Sequence, residues 1–361
     1  MVSLQIGPIS VTRGEEGRHF SVARPWRLPY GGSVSIPVYA FGGNRDGPVL
    51  AVVGGQHGNE LKPINVLRHF IQRGVPASFA GVIVVIPVAN PLAVADGTRC
   101  TVIDGTSGNG GDLNRMWPGK EGGFITQRIA AWLWEHIISK ADYLIDMHDG
   151  TERIGIYYSY VIQEPTTKTD HESNRMAAAF GQEVLMHDPR VRGALTTQAW
   201  EAGIPAMACE VGDFYGIRRP QEGTGEPKRS YLEVGLRGIL NLMQTIGMTE
   251  GEAAAPEYQV AVGPETGIGP AEGGLLEPRL SARDIGTVVS QGTVLGRILD
   301  PYSFDEIEVL TAPYAETLLL AAPRIDPFAM TFPGGGDFGY YVADWASRKW
   351  IRNKEGFWDD E

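Results

Sequence analysis

The feature that most constrains the fold of this chain is a series of continuous apolar segments that alternate with longer amphipathic segments. GPVLAVV (47–53), GVIVVIPVAN (81–90) and ADYLIDMH (141–148) are apolar almost throughout. Such segments are typical of strands that are buried on both faces, as in a parallel sheet covered by helices. Two more strands are predicted at EVLMH (183–187) and IPAMACEVG (204–212). The alternation predicts an α/β sheet with helices on both faces.

Three segments between these strands have apolar residues at helical spacing and predict helices: KPINVLRHFIQRG (62–74), FITQRIAAWLWEHIIS (124–139) and SYLEVGLRGILNLMQTIG (230–247). The pattern changes near residue 250, where TEGEAAAPE (249–257) resembles a linker. The sequence after this linker consists of short β-like runs broken by Gly, Pro and Asp, which predicts a small all-β domain. The sequence therefore predicts two domains, 1–250 and 251–361.

The β-rich segment lacks the group that a carrier domain needs. No lysine stands between Arg229 and Arg348. A lipoyl or biotin carrier attaches its cofactor to a lysine, so this role is excluded for the segment.

Composition and charge exclude several classes of partner. The chain has 361 residues, 43 of them acidic and 31 basic, and a net charge of −12. An acidic chain without a basic run is not expected to bind nucleic acid or an anionic membrane surface. With two cysteines, Cys100 and Cys209, no secretory signal and no apolar run of membrane-spanning length, we expect a cytoplasmic protein. A homo-oligomer is compatible with these features.

The segment GGQHGNE (54–60) follows the first buried strand and bears two metal-binding side chains. An imidazole and a carboxylate, His57 and Glu60, suit zinc, and the glycines let the backbone bend around one point. A single H-x-x-E pattern is a weak signal, because it is equally explained by a polar turn before a helix.

A third ligand is predicted at the end of another strand. Catalytic zinc usually has three protein ligands, and open α/β sheets place their sites at the carboxyl ends of strands. The strand YLIDMH ends in His148, with Asp146 and Asp149 beside it. Asp146 either orients a ligand imidazole or caps a turn.

The loop between these two motifs carries cationic side chains. Asn114 and Arg115 are adjacent in GDLNRMWPG (111–119), and Arg99 precedes them in DGTRCTVIDG (96–105). Arginine binds carboxylates through two parallel hydrogen bonds, and a cation near a metal-bound carbonyl stabilises a developing oxyanion. Solvent-exposed loop arginines are the simpler alternative.

Glu210 ends the apolar strand of IPAMACEVG (204–212). Near a metal site, such a carboxylate can take a proton from water and pass it to a leaving nitrogen. A buried salt bridge or a helix cap is the alternative. Cys209 stands beside it without a histidine in a helpful sequence context, so we do not expect a cysteine nucleophile.

The ordered set of motifs resembles the succinylglutamate desuccinylase/aspartoacylase family of the zinc carboxypeptidase A-like superfamily. The matching segments are GGQHGNE (54–60), NPLAVADGTR (90–99), DLNRMWPG (112–119), DMHDG (146–150) and IPAMACEVG (204–212). The resemblance covers residues 33–250 well and extends more loosely beyond them. It implies a mixed, twisted sheet flanked by helices, followed by a small β-domain that partly covers the site.

The resemblance also implies the chemistry. Family members remove an acyl group from the nitrogen of an amino acid or a related amine by zinc-assisted hydrolysis. Transferred to this chain, one zinc ion is held by His57, Glu60 and His148, and Glu210 is the general base and later the acid.

The residues that bind the substrate follow from the same resemblance. Arg99 matches the arginine that polarises the scissile carbonyl, and Asn114 and Arg115 match the pair that binds the substrate carboxylate. The expected partner is a small N-acylated molecule that bears a carboxylate.

Three places depart from the family or stay open. The segment TSGNGG (106–111) looks like an insertion at the pocket rim, and Trp117 replaces a frequent phenylalanine, which predicts a packing role only. The family often places a β-domain residue near the substrate. The candidates here are Tyr302, Tyr314, Tyr340 and Tyr341.

The sequence is also compatible with two alternatives to an N-acyl amino acid deacylase. A carboxypeptidase of the same superfamily uses the same residues and differs in the size of its pocket. A non-catalytic metal-binding relative has no need of Glu210.

Overall fold

The computed structural model describes residues 3–28, 31–104, 110–151, 153–219, 229–254, 256, 258–271, 273–324, 329–331 and 339–352. The helices are α1 Leu61–His69, α2 Pro91–Asp96, α3 Ile125–His136, α4 Lys168–Phe180, α5 Leu195–Glu201 and α6 Tyr231–Thr245. None of the described helices is long and apolar enough to cross a bilayer.

The strands are β1 Ser3–Ile6, β2 Ile9–Thr12, β3 Gly17–Ala23, β4 Ile36–Gly42, β5 Arg45–Val53, β6 Ala80–Ile86, β7 Tyr143–His148, β8 Ile154–Ile156, β9 Tyr158–Val161, β10 Val184–His187, β11 Ala206–Glu210, β12 Tyr258–Val262, β13 Thr266–Ile268, β14 Gly274–Pro278, β15 Val288–Ser290, β16 Val294–Leu299, β17 Glu306–Thr311, β18 Glu316–Pro323, β19 Ala329–Thr331, β20 Tyr340–Asp344 and β21 Lys349–Arg352.

A ten-stranded mixed sheet organises the molecule. Its strand order is β21-β12-β10-β9-β11-β7-β5-β6-β4-β3. The middle strands β11, β7, β5 and β6 run parallel to one another, whereas β9 pairs antiparallel with β11, and β4 pairs antiparallel with β6. The predicted α/β fold with a mixed sheet is confirmed.

Helices cover both faces of this sheet, as the continuous apolar strands predict. Side chains alternate between the faces of a strand. On β5, Leu50 and Val52 therefore pack in one apolar cluster with α1, α4 and α6, while Ala51 and Val53 pack in another with α3 and α5. Burial on both faces explains why β5 contains no polar residue after Pro48.

The C-terminal region forms two small antiparallel sheets, as predicted. One has the order β13-β20-β18-β15 with β8 also paired to β18, and the other has the order β17-β16-β14-β19. Two strands after residue 250, β12 and β21, lie at one edge of the large sheet, and β8 comes from before that residue. The two regions exchange strands, and the division into 1–250 and 251–361 stays a prediction.

Candidate functional site

Three neighbouring parallel strands bring the predicted site residues together. β5, β7 and β11 are adjacent, and β7 and β11 pair so that His148 lies opposite Glu210. The turn with His57 and Glu60 follows β5 directly. Because the carboxyl ends of parallel strands meet at one edge of the sheet, these four residues lie around one point.

Glycines allow the turn after β5 to adopt its path. Gly55 has a φ of 62°, in the left-handed region that favours glycine. A Cβ atom on Gly58 would lie 1.8 Å from the carbonyl oxygen of Ala93 in α2. The turn therefore packs against α2 at a distance that only glycine permits.

His57, Glu60 and His148 form a compact, buried donor set. The Nδ1 atom of His57 lies 2.6 Å from Oε1 of Glu60, and the Nδ1 atom of His148 lies 2.9 Å from Oε2. The candidate ligand atoms all lie within 4.8 Å of one another. Two imidazoles and a carboxylate at this spacing can hold one divalent metal ion.

The second nitrogen of each imidazole faces a different carboxylate. Nε2 of His57 lies 3.0 Å from Oδ1 of Asp112, and Nε2 of His148 lies 3.1 Å from Oδ2 of Asp146. Metal-ligating histidines usually donate their other N–H to such a group, which fixes the tautomer. This arrangement leaves Nδ1 of both rings for the ion and fits a metal centre.

Asp112 was not singled out from the sequence. Its carboxylate accepts hydrogen bonds from the Nε of Arg99 and the backbone N–H of Asn114, in addition to its contact with His57. Its position two residues before Asn114 in the polar loop was the available signal. The sequence shows no link between this loop and a histidine 55 residues away.

Trp117 does more than the packing that was predicted for it. Its side chain is buried, and its Nε1 donates to Oε1 of Gln56 at 2.8 Å. Nε2 of Gln56 in turn donates to Oδ1 of Asp146 at 2.7 Å. The prediction of a packing role alone was wrong, because the indole nitrogen helps to orient Asp146, which contacts the imidazole of His148.

The two histidines set the charge of Glu60. Burial by itself raises the pKa of a carboxyl group, but the charges and hydrogen bonds of His57 and His148 hold the pKa of Glu60 well below its usual value. Glu60 is therefore ionised and able to act as an anionic ligand.

The pKa of Glu210 is shifted in the opposite direction from that of Glu60. Burial, with the negative charge of Glu60 added, raises its pKa well above the usual value. Its Oε2 atom is buried and has no hydrogen-bond partner among the described residues. Both alternatives weighed for Glu210, a salt bridge and a helix cap, are absent from the described contacts.

The neighbouring Cys209 is not positioned as a nucleophile. It is unpaired and fully buried, and burial raises the pKa of its thiol well above the usual value.

Arg99, Asn114 and Arg115 all line the same cavity as the donor set. The Nη1 atom of Arg99 lies 3.5 Å from Oε1 of Glu60. Nδ2 of Asn114 lies 3.2 Å from Nε2 of His148, and its Oδ1 accepts from the backbone N–H of Leu195 at 2.8 Å. The loop that was predicted from its polar residues thus borders the donor set of His57, Glu60 and His148.

The cavity measures about 140 Å³ and extends away from the donor set. Its far wall includes Tyr160, Asp188 and Glu265, which were not identified from the sequence. These residues lie after or within strands β9, β10 and β12, and nothing in their local sequence distinguishes them.

The four β-domain tyrosines differ in their surroundings. Tyr302 is 92% exposed, the hydroxyl of Tyr314 pairs with Thr266, and the hydroxyl of Tyr340 donates to backbone carbonyls. Burial, together with the charges of Glu265 and Glu210, raises the pKa of Tyr341. Tyr341 is thus the candidate that lies near the cavity. The expected insertion at 106–111 falls largely outside the described residues.

The chain is similar to known proteins along most of its length. Residues 46–224 match the model of the succinylglutamate desuccinylase/aspartoacylase catalytic domain. An N-alpha-acetyl-L-2,4-diaminobutyric acid deacetylase from Halomonas elongata is 28% identical over 278 residues, which are 74% of this chain and 75% of the relative.

Solved structures share the fold. A succinylglutamate desuccinylase from Silicibacter has a TM-score of 0.76 at 21% identity, with 95% of this chain and 99% of the other covered. The ectoine utilization protein EutE (DoeB) from Ruegeria pomeroyi, in a product-bound structure, has a TM-score of 0.75 at 21% identity, with 94% and 100% covered. The match to the family model, together with the sequence relative, shows that the chain belongs to the succinylglutamate desuccinylase/aspartoacylase family.

Proposed function

We propose that this protein is a zinc-dependent amidohydrolase that removes the acyl group from an N-acyl amino acid. The observation that carries the proposal is the convergence of His57, Glu60 and His148 with Glu210 at one end of a small cavity. Membership of the family and the deacetylase relative support a deacylase activity.

His57, Glu60 and His148 would hold the zinc ion through Nδ1, a carboxylate oxygen and Nδ1. When bound, zinc lowers the pKa of a water molecule to about 7 and polarises a carbonyl group. Asp112 and Asp146 would favour the tautomer that this role requires, since each carboxylate lies about 3 Å from an Nε2 atom.

Glu210 is suited to carry the proton in this reaction. It takes a proton from the attacking water and gives it to the leaving nitrogen as the amide C–N bond breaks. Glu210 lines the cavity, and its Oε2 atom has no hydrogen-bond partner among the described residues. A carboxylate in a salt bridge would not be free to act in this way.

The basic residues orient the substrate. Arg99 contacts Glu60 and would stabilise the oxyanion that forms on the scissile carbonyl. Arg115 and Asn114 are held on one loop and would bind the substrate carboxylate. Binding the carboxylate at a distance from the reacting carbonyl fixes the orientation of the amide.

The small cavity favours an N-acyl amino acid over a peptide. A cavity of about 140 Å³ suits a molecule of amino-acid size. Nα-acetylated amino acids, including the Nα-acetyl-2,4-diaminobutyrate named for the relative, are the substrates to test first. A carboxypeptidase would need space for the residue on the other side of the scissile bond.

Substitution of Glu210 by glutamine tests the proposal. The E210Q variant keeps the metal ligands and should bind one zinc ion per chain, measured by elemental analysis. Its kcat for a panel of Nα-acetyl amino acids should fall by about 100-fold or more, since general acid–base catalysis contributes at least this factor.

Other outcomes would contradict specific parts of the proposal. Full turnover by E210Q would remove Glu210 from the mechanism. Faster release of a C-terminal residue from dipeptides than of acetate from Nα-acetyl amino acids would favour a carboxypeptidase. A zinc-loaded protein that hydrolyses none of these compounds would favour a non-catalytic relative.

A further inference from the structure

The cavity runs along the face of the large sheet, away from the metal centre. Ala208 and Glu210 are two residues apart on β11 and both line it, so they point to the same face. Two residues of a strand correspond to about 7 Å. Ala208 has a small side chain, which leaves this space open between Glu210 and the far wall.

The far wall carries two carboxylates. Asp188 directly follows β10, and Glu265 follows β12. β10 and β12 are parallel neighbours, which explains why residues after their carboxyl ends lie close together. The negative charge of Asp188 acts on Glu265, so the two groups share one region of the cavity.

Neither carboxylate is neutralised by a direct ion pair with a described residue, although the charge of Arg190 acts on Asp188. Among the described residues, no salt bridge joins Asp188 or Glu265 to an arginine or a lysine. Glu265 accepts a hydrogen bond from the hydroxyl of Tyr158 at 2.6 Å, and Asp188 accepts one from the backbone N–H of Arg190. Burial raises the pKa of Asp188 to about 6. Two neighbouring carboxylates without a salt bridge in one wall are stabilised when a cation binds between them.

The groups around these carboxylates suit an ammonium group. The hydroxyls of Tyr158 and Tyr160 lie 3.3 Å apart, and Tyr160 lines the cavity. An ammonium group has three donors, and two carboxylates with a tyrosine hydroxyl offer three acceptors. At the metal end, the unpartnered and buried Oε2 atom of Glu210 independently indicates that a ligand occupies this cavity.

The distance along the sheet fits one molecule. An unacylated amine on a short side chain lies three to four single bonds of about 1.5 Å from the acylated nitrogen. A substrate whose amide nitrogen lies beside Glu210 therefore places such an amine toward Glu265 and Asp188. A neutral side chain would leave the two carboxylates unpaired.

We propose that Glu265 and Asp188 form a subsite for a cationic amine on the side chain of the substrate. The site then selects N-acyl amino acids that carry a second, unacylated amine, and it disfavours those with an anionic side chain. This inference rests on the proposed deacylase function and specifies its substrate class.

The test compares three substrates of similar size with the zinc-loaded protein. Nα-acetyl-L-2,4-diaminobutyrate carries the amine, Nα-acetyl-L-norvaline is its neutral counterpart of the same length, and Nα-acetyl-L-glutamate carries a negative charge. The wild type should prefer the first, with a kcat/KM at least about tenfold above the others, because hydrogen bonds to charged groups contribute at least this much.

The E265Q variant isolates the charge, because glutamine can still accept the hydrogen bond from Tyr158. KM for the diaminobutyrate substrate should rise by about tenfold, while KM for the norvaline substrate should stay within about twofold. The D188N variant should change KM in the same direction. Glu277→Gln is the matched control, since Glu277 lies in the same β-rich region, pairs with Arg279 and does not line the cavity.

A binding measurement separates this inference from the proposed function. Isothermal titration calorimetry should show that the wild type binds L-2,4-diaminobutyrate more tightly than L-norvaline. The E265Q variant should bind the two ligands with equal affinity. Hydrolysis of all three substrates at equal rates would overturn the subsite and leave the deacylase function intact. Preferential binding of the diamine without any hydrolysis would overturn the function and support the subsite. An equal rise in KM for charged and neutral substrates in E265Q would assign Glu265 a purely structural role.

Discussion

Asp112 and Asp146 show how single residues outside the donor set define its geometry. Each carboxylate lies about 3 Å from the Nε2 atom of one histidine, and each is itself held by other donors. A buried imidazole without such a partner would be free to rotate or to change its tautomer. The geometry of the candidate metal site is therefore expected to depend on residues outside the donor set.

Replacement of Asp146 by asparagine should weaken metal binding without removing a ligand. The amide can reverse its donor toward Nε2 of His148, which then favours the tautomer that protonates Nδ1. Zinc affinity should fall by about 10- to 100-fold, the usual effect of losing such a partner, as measured by competition with a chromogenic chelator.

Asp142→Asn is the control for this variant. Asp142 lies just before β7, at the other end of the strand from His148, and accepts from the backbone N–H of Val49. Its substitution should leave zinc affinity unchanged. Equal affinities of D146N and the wild type would show that Asp146 does not orient the ligand.

At the scale of elements, the turn between β5 and α1 is the part that the fold constrains most tightly. It must carry His57 and Glu60 to one point and also pass against α2. The close approach of Gly58 to the carbonyl oxygen of Ala93 meets both requirements. A larger residue would push the turn, and with it two ligands, away from His148.

Substitution of Gly58 by alanine should therefore reduce stability and metal binding together. The added Cβ would meet backbone rather than a flexible side chain. We expect a loss of about 3 kcal/mol, the upper end of the usual effect of overpacking, which is about 4 °C in Tm for a chain of this size.

Differential scanning calorimetry and zinc titration would measure both effects. Gly122→Ala is the matched control, because a Cβ there meets no atom within 4 Å and the φ of Gly122 is not positive. A G58A variant with the stability and zinc affinity of the wild type would contradict the proposed constraint.

At the scale of the whole molecule, the candidate metal site joins two neighbouring strands of the large sheet. The ligands come from the turn after β5 and the end of β7, and the cavity wall includes residues that follow β10 and β12. An ion bound to these elements binds the folded chain far better than the unfolded one. Metal binding should therefore stabilise the entire fold.

Removal of zinc should lower Tm, and its return should restore it. At a free zinc concentration of about 1,000 times Kd, the stabilisation is about 4 kcal/mol, which corresponds to about 5 °C for a chain of this length. Calorimetry of the chelated and reloaded protein measures the shift. The His148→Asn variant should show no shift, and a zinc-independent Tm in the wild type would contradict the site.

The sequence by itself determined the α/β sheet and the identity of the candidate site residues. Continuous apolar strands can be recognised in the sequence because burial on both faces excludes polar residues from a whole segment. The candidate ligands His57, Glu60 and His148 can be predicted from the sequence. Open sheets place functional polar residues at the carboxyl ends of buried strands, where they interrupt an apolar pattern. These signals are local, so they can be recognised in the sequence without knowledge of the tertiary structure.

Only the tertiary structure decided which distant residues complete the site. Asp112 contacts His57 across 55 positions, and the charge of Asp188 acts on Glu265 because β10 pairs with β12, a strand that the sequence assigned to the β-domain. Neither pair can be predicted from a periodic pattern or a motif in the sequence, because each depends on the order of strands in the sheet. Strand order follows from the packing of the whole chain, so the acidic wall of the cavity is decided by the fold alone.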